Sequence, residues 1–282
     1  MALPDFLIVG AMKCGTSTLA GQLGAQAGVF MTDPKEPNFF SDDAVFARGR
    51  GWYEALFAAA PPGAIRGEAS THYTKLPTHP QTLARMTAML EAPRIVYLIR
   101  NPLQRLVSHY MHEWTMGVMR GPLADSLDSF PELVDYGCYG RQIRPYVEAF
   151  GQDRVLVQTL EEMQRNPLEV LERTARFIGL EGPVLWQEDR ARENVSAERI
   201  RRFPLQGLLI DNPVAAGLRR VLVPKSVRAW VRRSRQMQER PQIPEDRLPG
   251  LIAGFREDHD ALRALFPDRP DLAQSYPFLE RA

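Results

Sequence analysis

The sequence predicts an α/β fold of three layers, in which a mostly parallel sheet is flanked by helices. Residues 6–9 and 94–99 are short apolar runs of the kind found in strands that are buried on both faces. Each run is followed by a polar turn and then by a stretch with apolar residues at helical spacing. Strands that alternate with helices in this way are typical of parallel sheets.

The individual elements follow in chain order. The predicted strands are residues 6–9, 65–68, 94–99 and 154–158, and the predicted helices are residues 16–26, a segment that starts at Pro102, and residues 167–178. Pro102 suits the first turn of a helix because its fixed φ is already helical, and Gly179 is typical of a helix end. We therefore expect one domain over residues 1–282, with an α/β core in residues 1–180 and an α-rich, basic portion in residues 181–282.

The composition is that of an ordinary globular protein. Hydrophobic residues make up 44% of the chain, and 35 basic against 34 acidic side chains give a net charge of +1. These values exclude disorder, collagen-like repeats and a disulfide scaffold. The five histidines and two cysteines are scattered, so no metal site is expected.

Three features of the sequence predict a cytoplasmic location. No apolar run reaches the about 18 residues that would span a bilayer. The first ten residues contain Asp5, whereas a signal peptide carries basic residues in that region. The two cysteines also lack the paired pattern of secreted domains.

A strong charge asymmetry marks residues 190–240. This segment holds thirteen Arg or Lys and four acidic residues, for a net charge of about +9. Three interpretations remain open: a mobile amphipathic lid, a patch that meets acidic substrates or lipid headgroups at a membrane surface, and a solvated helical face. No nucleic-acid partner is expected, because the overall charge is balanced and no nucleic-acid-binding motif is present. The sequence predicts no particular oligomeric state.

Residues 10–18 join the first predicted strand to the first predicted helix. A helix start offers several unpaired backbone N–H groups, and glycines let a ligand approach the backbone closely. We therefore expect an anion-binding loop at the carboxyl end of the first strand, where open parallel sheets bind ligands. Its candidate ligand-binding residues are Lys13, Cys14, Gly15, Thr16, Ser17 and Thr18.

The residue order in this loop differs from that of an ATP-binding P-loop. That motif places its lysine directly after the last glycine, whereas Lys13 precedes Gly15 and Thr16 follows it. No apolar run that ends in a magnesium-binding aspartate stands out either. The expected fold is thus P-loop-like and nucleotide-binding, and a nucleotide-dependent kinase is kept as an alternative function.

Residues 13–18, in the order K-x-G-T-S-T, resemble the 5′-phosphosulfate loop of sulfotransferases, which use 3′-phosphoadenosine 5′-phosphosulfate (PAPS). Residues 94–110 resemble the 3′-phosphate motif of the same family. The resemblance implies that Arg100, at the end of the strand, and Ser108, eight residues later, hold the 3′-phosphate. This spacing brings both to one helix face, and a guanidinium with a hydroxyl suits a phosphate monoester.

Two further segments are similar to the heparan-sulfate and related bacterial branch of this family. Residues 35–40 resemble its K-E-x-x-F-F segment, and residues 67–73 resemble its G-E-K-[ST]-P-x-Y segment. The resemblance covers roughly residues 5–180. Ala69 stands where the branch has a lysine, so the specificity of the branch for polyanionic sugars is not carried over.

The resemblance implies an enzyme that moves a sulfuryl group from PAPS to an acceptor hydroxyl, or less readily to an amine, and releases adenosine 3′,5′-bisphosphate. The acceptor is expected to be a small molecule, a glycan or a lipid. No metal is expected, because Lys13 and helix N–H groups can supply the positive charge. Residues 190–202 lie where family members place a loop over the nucleotide. A non-catalytic nucleotide-binding module stays an alternative from another functional class.

Three residues are the predicted catalytic groups. Lys13 is expected to lie against the 5′-phosphate and to stabilise the charge on the departing oxygen. Glu36 is the predicted general base by the resemblance, with a pKa raised by its apolar neighbours. His72 is the competing base, because a neutral imidazole can accept a proton at pH 7 without a shift of its pKa.

Five other residues have alternative interpretations. Glu68 is expected either to orient the catalytic lysine or the acceptor, or to be buried and hydrogen-bonded. Asp33, Tyr73 and Trp114 are candidates for the acceptor pocket, although core packing explains the two aromatic residues equally well. Cys14 is expected to be a small loop residue rather than a nucleophile, because the C-x₅-R spacing of cysteine phosphatases is absent.

Overall fold

The computed structural model describes residues 3–189, 237 and 239–279. Within these residues, five parallel strands form one sheet in the order β2-β3-β1-β4-β5. The strands are β1 (Phe6–Gly10), β2 (Val29–Met31), β3 (Ile65–Ala69), β4 (Arg94–Ile99) and β5 (Val155–Thr159). β1 occupies the centre of the sheet and β4 lies beside it, and almost all of their residues are buried, as their apolar runs predict.

Helices connect the strands and flank the sheet, so the predicted α/β fold is confirmed. The helices of the described residues are α1 (Thr16–Leu23), α2 (Asp43–Phe46), α3 (Gly49–Ala55), α4 (Thr82–Met89), α5 (Pro102–Met116), α6 (Leu123–Ser129), α7 (Glu132–Asp135), α8 (Tyr139–Phe150), α9 (Leu160–Arg165), α10 (Pro167–Ile178) and α11 (Leu248–Leu265). Short 3₁₀ segments cover Thr71–Thr74, Gln152–Arg154 and Pro270–Ser275.

Most predicted boundaries agree with the observed ones to within a few residues. β4 and α10 have their predicted bounds, and Gly179 ends α10 with a φ of +88° in the left-handed region. α1 ends at Leu23, earlier than predicted, because Gly24 caps it. β2 was not predicted, since three partly exposed residues at a sheet edge are too short to show a periodicity.

The parallel arrangement brings the loops that follow the strands to one edge of the sheet. The chain leaves β1, β3 and β4 at this edge, because the carboxyl ends of parallel strands lie on the same side. β2 and β3 lie on one side of β1 in the sheet, and β4 and β5 lie on its other side. A crevice outside the strand ends at such a reversal is the usual ligand site of open α/β sheets.

The described part of the C-terminal portion packs against the core. α11 lies against α8, and its Asp258 carboxylate accepts hydrogen bonds from the backbone N–H groups of Gly140 and Arg141, both at 2.9 Å. These donors belong to the first turn of α8, where the helix has no acceptors of its own. The contact therefore joins the C-terminal helix to the sheet domain.

The predicted basic segment, residues 190–240, lies outside the described residues apart from three positions near its end. The three interpretations of its role stay predictions, as does the single domain over residues 1–282. In the part of the chain that the structure describes, no helix combines the length and the apolar character needed to cross a membrane.

Ile95 of β4 is fully buried, so we expect Ile95→Ala to lower the free energy of unfolding by about 2–5 kcal/mol through lost burial and the cavity left behind. Urea unfolding measures this loss. Leu168→Ala is the matched control: Leu168 lies on α10 and is 43% exposed, so its truncation should change the free energy of unfolding by about 0.5 kcal/mol or less. Equal losses in the two variants would contradict the buried position of β4.

Candidate active site

The loop between β1 and α1 has an unusual backbone. Lys13 has a φ of +68° and Gly15 a φ of +87°, so both lie in the left-handed region, where most side chains are strained. A Cβ atom at position 15 would lie 2.7 Å from Cε of Met163 and 2.9 Å from Cδ1 of Leu160. Glycine at this position therefore allows the first turn of α1 to lie directly against α9.

A cavity of about 760 Å³ lies where this loop, the 3₁₀ segment after β3 and α5 meet. The predicted site residues that line it are Lys13, Gly15, Thr16, Ser17, Thr18, Glu36, His72, Arg100 and Ser108. Four separate parts of the sequence thus contribute to one cavity. The sheet topology explains this, because the parallel strands that precede these parts, β1 to β4, end at the same edge.

Arg100 connects the two predicted anion-binding elements. Its guanidinium donates to the backbone oxygen of Lys13 at 3.1 Å and to Oε1 of Gln104 at 3.1 Å. Its Nε is buried and has no hydrogen-bond partner among the described residues. Asn101 fixes the start of α5 by accepting hydrogen bonds from two backbone N–H groups of its first turn. An arginine held in this way at the wall of the cavity suits an anionic ligand.

Glu36 lies in the cavity on a strained and strongly held loop. Its φ is +59°, and its backbone N–H donates to the oxygen of Ala69 at 3.1 Å. The carboxylate accepts a hydrogen bond from Lys35 Nζ at 2.9 Å and from Thr71 Oγ1 at 3.1 and 3.2 Å. Burial raises the pKa of Glu36, but the Lys35 ammonium and these hydrogen bonds outweigh it and hold the pKa below its ordinary value. The predicted raised pKa is therefore wrong.

The loop that carries Glu36 is fixed by a buried carboxylate. Glu68 is completely buried at the end of β3 and accepts hydrogen bonds from Ser70 at 2.8 Å, from Tyr73 at 2.5 Å and from Tyr53. Ser70 Oγ in turn accepts the backbone N–H of Asn38 at 3.1 Å. Burial raises the pKa of Glu68 although its hydrogen bonds oppose this. Of its two interpretations, the buried and hydrogen-bonded role is the observed one.

Two basic residues of the cavity have lowered pKa values. Burial, together with the nearby positive charge of Lys75, lowers the pKa of His72 to about 4, so its imidazole is neutral at pH 7. The His72 ring stacks on His79, with 4.9 Å between the ring centroids. Burial also lowers the pKa of Lys75 to about 8, and its ammonium lies 5.7 Å from the ring centroid of Tyr136. Across residues 3–189, 237 and 239–279, no group of three or more His, Cys, Asp or Glu side chains is placed to hold a metal ion.

Cys14 differs from the prediction that it contacts the ligand. Its side chain is fully buried beneath the loop, with Sγ 3.6 Å from Oη of Tyr139. Its backbone N–H is also used, because it donates to the oxygen of Ala11 at 3.2 Å. Burial raises the pKa of the thiol to about 11, so Cys14 packs the loop onto the core and is not a nucleophile.

The candidates for the acceptor pocket lie away from the cavity. Tyr73 is buried and donates to Glu68. Trp114 packs against a small apolar cluster around α5 and α6, and Asp33 is exposed on the surface. Core packing therefore accounts for the two aromatic residues.

The cavity also contains residues that the sequence analysis missed. Thr71, Lys75, Gln164 and Trp186 all line it. Thr71 belongs to the segment at residues 67–73 that resembles the family, and Lys75 lies two residues after that segment, so the polar residues in and beside it are the available signal. Trp186 lies beyond the strand and helix pattern, and no local signal marks it.

The site thus joins the predicted anion-binding loop, an arginine and a carboxylate in one cavity. The family model described as "Sulfotransferase domain" matches residues 3–214, which include every one of these groups. The chain belongs to this family. The resemblance of its loop and of its Arg100 segment to sulfotransferases is thereby confirmed.

Individual sulfotransferases resemble the chain only distantly in sequence. Mouse heparan sulfate glucosamine 3-O-sulfotransferase 3B1 is 26% identical over 187 residues, which cover 63% of this chain and 46% of that protein. The chain thus aligns with about half the length of the curated relatives it matches first.

Two solved structures share the fold. A sulfotransferase from Alicyclobacillus acidocaldarius is 24% identical and gives a TM-score of 0.65, with 94% of this chain and 96% of that chain covered. Mouse sulfotransferase SULT7A1, complexed with PAP, is 18% identical and gives a TM-score of 0.54, with 93% and 88% covered.

Lys35→Met should raise the pKa of Glu36, because burial of the carboxyl remains while the neighbouring charge and one hydrogen-bond donor are removed. A pH titration of ¹³C-labelled glutamate side chains by NMR measures the change. Lys35→Arg retains the positive charge and is the matched control, in which the pKa of Glu36 should stay below its ordinary value. An unchanged pKa in Lys35→Met would show that the ion pair does not control this carboxyl.

Proposed function

We propose that this sulfotransferase-family chain transfers the sulfuryl group of PAPS to an acceptor hydroxyl and releases adenosine 3′,5′-bisphosphate. One observation carries the proposal: the loop at residues 13–18, the pair Arg100 and Ser108, and the carboxylate of Glu36 all line the same cavity. Such a cavity has groups for two phosphates and a proton acceptor beside them.

The two anionic ends of the nucleotide are assigned to different elements. The loop hydroxyls, Lys13 and the N–H groups at the start of α1 suit the 5′-phosphosulfate, because a helix N-terminus attracts negative charge. Arg100 and Ser108 suit the 3′-phosphate, since both line the cavity and a guanidinium with a hydroxyl suits a phosphate monoester. A kinase is not favoured, because Lys13 precedes the glycine of the loop rather than following it.

In the proposed reaction, one S–O bond forms while another breaks. Glu36, which its low pKa keeps ionised at neutral pH, takes the proton of the acceptor hydroxyl. The acceptor oxygen bonds to sulfur, and the bond between sulfur and the 5′-phosphate oxygen breaks with its electron pair staying on that oxygen. Lys13 and the N–H groups of α1 stabilise the negative charge that develops there.

The acceptor is proposed to be a hydroxyl of a glycan or another small molecule. The name of the mouse relative gives heparan sulfate as that protein's acceptor, which supports a glycan. Lys75, nearly buried in the cavity with a pKa of about 8, is protonated in most molecules at pH 7. It adds a positive charge close to Glu36 and His72.

We also keep the cytoplasmic location as a proposal. Both cysteines are free, and Cys14 is buried as a thiol, which suits a reducing compartment. Fractionation of cells that produce the tagged chain tests this, and recovery of the chain in secreted or membrane fractions would contradict it.

Glu36→Gln should lower kcat by about 10²–10⁴-fold, since the amide cannot accept the proton, while binding of adenosine 3′,5′-bisphosphate stays unchanged. His72→Asn should have a much smaller effect, because the carboxylate remains. A sulfuryl-transfer assay with a panel of phenol and sugar acceptors measures both, with the exposed Glu91→Gln as the control. A larger loss of kcat in His72→Asn than in Glu36→Gln would make His72 the base. If the chain is a non-catalytic nucleotide-binding module, the unaltered chain will show no turnover.

Arg100→Ala should weaken the binding of adenosine 3′,5′-bisphosphate by about 10- to 150-fold, as expected for the loss of charged hydrogen bonds. The binding of adenosine 5′-monophosphate should weaken far less. Calorimetric titration of both nucleotides measures the difference. Arg154→Ala is the control, because Arg154 directly precedes β5, at the edge of the sheet opposite to the cavity. The unaltered chain should prefer the bisphosphate to ATP with magnesium; a preference for ATP would favour the kinase.

A further inference from the structure

The last turn of α5 carries a second carboxylate into the cavity. Arg100 lies just before this helix, Ser108 lies in its middle and Glu113 lies in its last turn, and all three line the cavity. Five residues of helix rise by about 7–8 Å, so Glu113 lies well beyond Ser108 along the helix axis. The proposed reaction gives Glu113 no role, although a negative charge is disfavoured near the C-terminus of a helix.

A buried arginine and a histidine hold Glu113 from behind. Arg105 is fully buried, donates to the backbone oxygen of Leu133, and has its Nη1 3.4 Å from Nδ1 of His109. Burial lowers the pKa of His109 to about 4, so its imidazole is neutral at pH 7. Because an arginine can only donate, Nδ1 accepts and the ring proton is on Nε2. This nitrogen lies 3.6 Å from Oε1 of Glu113, so Arg105 directs the N–H of His109 towards that carboxylate.

Glu113 carries its charge at neutral pH and faces a buried lysine. The contact with His109 holds the pKa of Glu113 below its ordinary value, against the effect of burial. Lys75 is attracted by both Glu36 and Glu113. Within the described residues, however, Lys75 forms an ion pair with neither carboxylate, since Glu36 pairs with Lys35 and Glu113 with His109. An ammonium and a carboxylate thus face the same space without direct contact.

The groups around the proposed base are polar. We call this part of the cavity the acceptor subsite, and its described residues are Glu36, Thr71, His72, Lys75, His112 and Glu113. Apolar residues that line the cavity, such as Leu160 and Met163, lie beside Gly15 of the anion-binding loop instead. A phenol or a lipid needs an apolar surface. Among the residues that the structure describes, the acceptor subsite has no apolar member to supply one.

A hydroxyl group fits the space that Lys75 and Glu113 share. It can accept a hydrogen bond from the ammonium and donate one to the carboxylate at the same time. A carboxylate or sulfate on the acceptor would bond to Lys75 but would be repelled by Glu113. Ala69 stands where the heparan-sulfate branch has a lysine, so that cation is also missing here. The acceptor subsite therefore favours an uncharged ligand.

We propose that Glu113 and Lys75 bind a second hydroxyl of the acceptor, next to the one that Glu36 deprotonates, and that the acceptor is an uncharged polyol such as a neutral sugar. Arg105 and His109 are positioning residues that hold Glu113. The inference rests on the proposed function, because the reacting hydroxyl belongs to the proposed sulfuryl transfer. A polyanionic sugar, the acceptor class of the branch that the sequence resembles, is thereby disfavoured.

Two matched acceptors test the charge preference. Methyl β-glucoside and methyl β-glucuronide differ in a CH₂OH group that is replaced by a carboxylate. With labelled PAPS, the unaltered chain should show a kcat/KM for the glucoside about 10-fold or more above that for the glucuronide, because Glu113 repels the carboxylate. Glu113→Gln keeps the shape but removes the charge, so it should abolish most of this preference. The exposed Glu91→Gln is the matched control and should keep it.

A preference of the unaltered chain for the glucuronide would overturn the proposal, and so would an unchanged preference in Glu113→Gln. Turnover of phenols without turnover of any polyol would also overturn it, while leaving the proposed sulfuryl transfer in place. Failure of the unaltered chain to bind adenosine 3′,5′-bisphosphate, or to turn over any acceptor, would contradict the proposed function itself and this inference with it.

A diol and a simple alcohol test the second hydroxyl. The unaltered chain should prefer trans-cyclohexane-1,2-diol to cyclohexanol, which has no second hydroxyl. Glu113→Ala should lower kcat/KM for methyl β-glucoside by about 10- to 150-fold, the range for a hydrogen bond to a charged group, mainly through KM. Calorimetry should show unchanged binding of adenosine 3′,5′-bisphosphate in this variant. Equal kcat/KM values for the diol and for cyclohexanol in the unaltered chain would show that no second hydroxyl is bound.

A double-mutant cycle tests the positioning role of His109. His109→Phe removes the N–H that faces Glu113, so it should raise KM for methyl β-glucoside while kcat changes little. In the Glu113→Ala background the same substitution should have almost no further effect on KM, because His109 acts through that carboxylate. Additive increases would show that His109 has only a general structural role. If His109→Phe is misfolded and no longer binds the bisphosphate, the two Glu113 variants decide the proposal alone.

Discussion

The burial of one carboxylate organises the reactive side of this protein. Glu68 is completely inaccessible at the end of β3, and a buried carboxylate is costly unless its oxygens are satisfied. Three hydroxyl groups gather around it for this reason. One of them, that of Ser70, also holds the backbone of Asn38, two residues after Glu36. The loop with the proposed base is thereby tied to the sheet. The hydrogen bonds that stabilise the buried Glu68 carboxylate therefore also help to place the Glu36 carboxylate.

Backbone strain is concentrated in the loops of the candidate active site. In the described residues, the non-glycine positions with positive φ are Lys13, Glu36 and Asn38, and each such residue costs about 1–3 kcal/mol that the surrounding structure must offset. Two of the three are proposed catalytic groups. Lys13 is held by Arg100 through its backbone oxygen, and Glu36 by its hydrogen bond to Ala69. The strain is therefore found where an ammonium and a carboxylate line one cavity.

Partial burial separates the roles of the titratable groups. His72 is driven to its neutral form and Lys75 towards it, because burial penalises positive charge. Glu36 is buried as well, yet it stays ionised because Lys35 and Thr71 bond to its oxygens. The neighbouring charge of Lys35, together with specific hydrogen bonds, therefore keeps Glu36 ionised against the effect of burial.

The sequence by itself determined four of the five strands, the loop from β1 to α1 and the helical spacing of Arg100 and Ser108, because each of these depends on residues close together along the chain. Only the tertiary structure decided the rest. The low pKa of Glu36 depends on Thr71, 35 residues away, and Cys14 faces the core because Tyr139, 125 residues away, packs beneath the loop. Trp186 lines the cavity, and the backbone of the residues on either side of it is hydrogen-bonded to Gln22 and Gln26, up to 165 residues away along the chain. Contacts over such distances leave no local periodicity, since they exist only once the sheet has assembled.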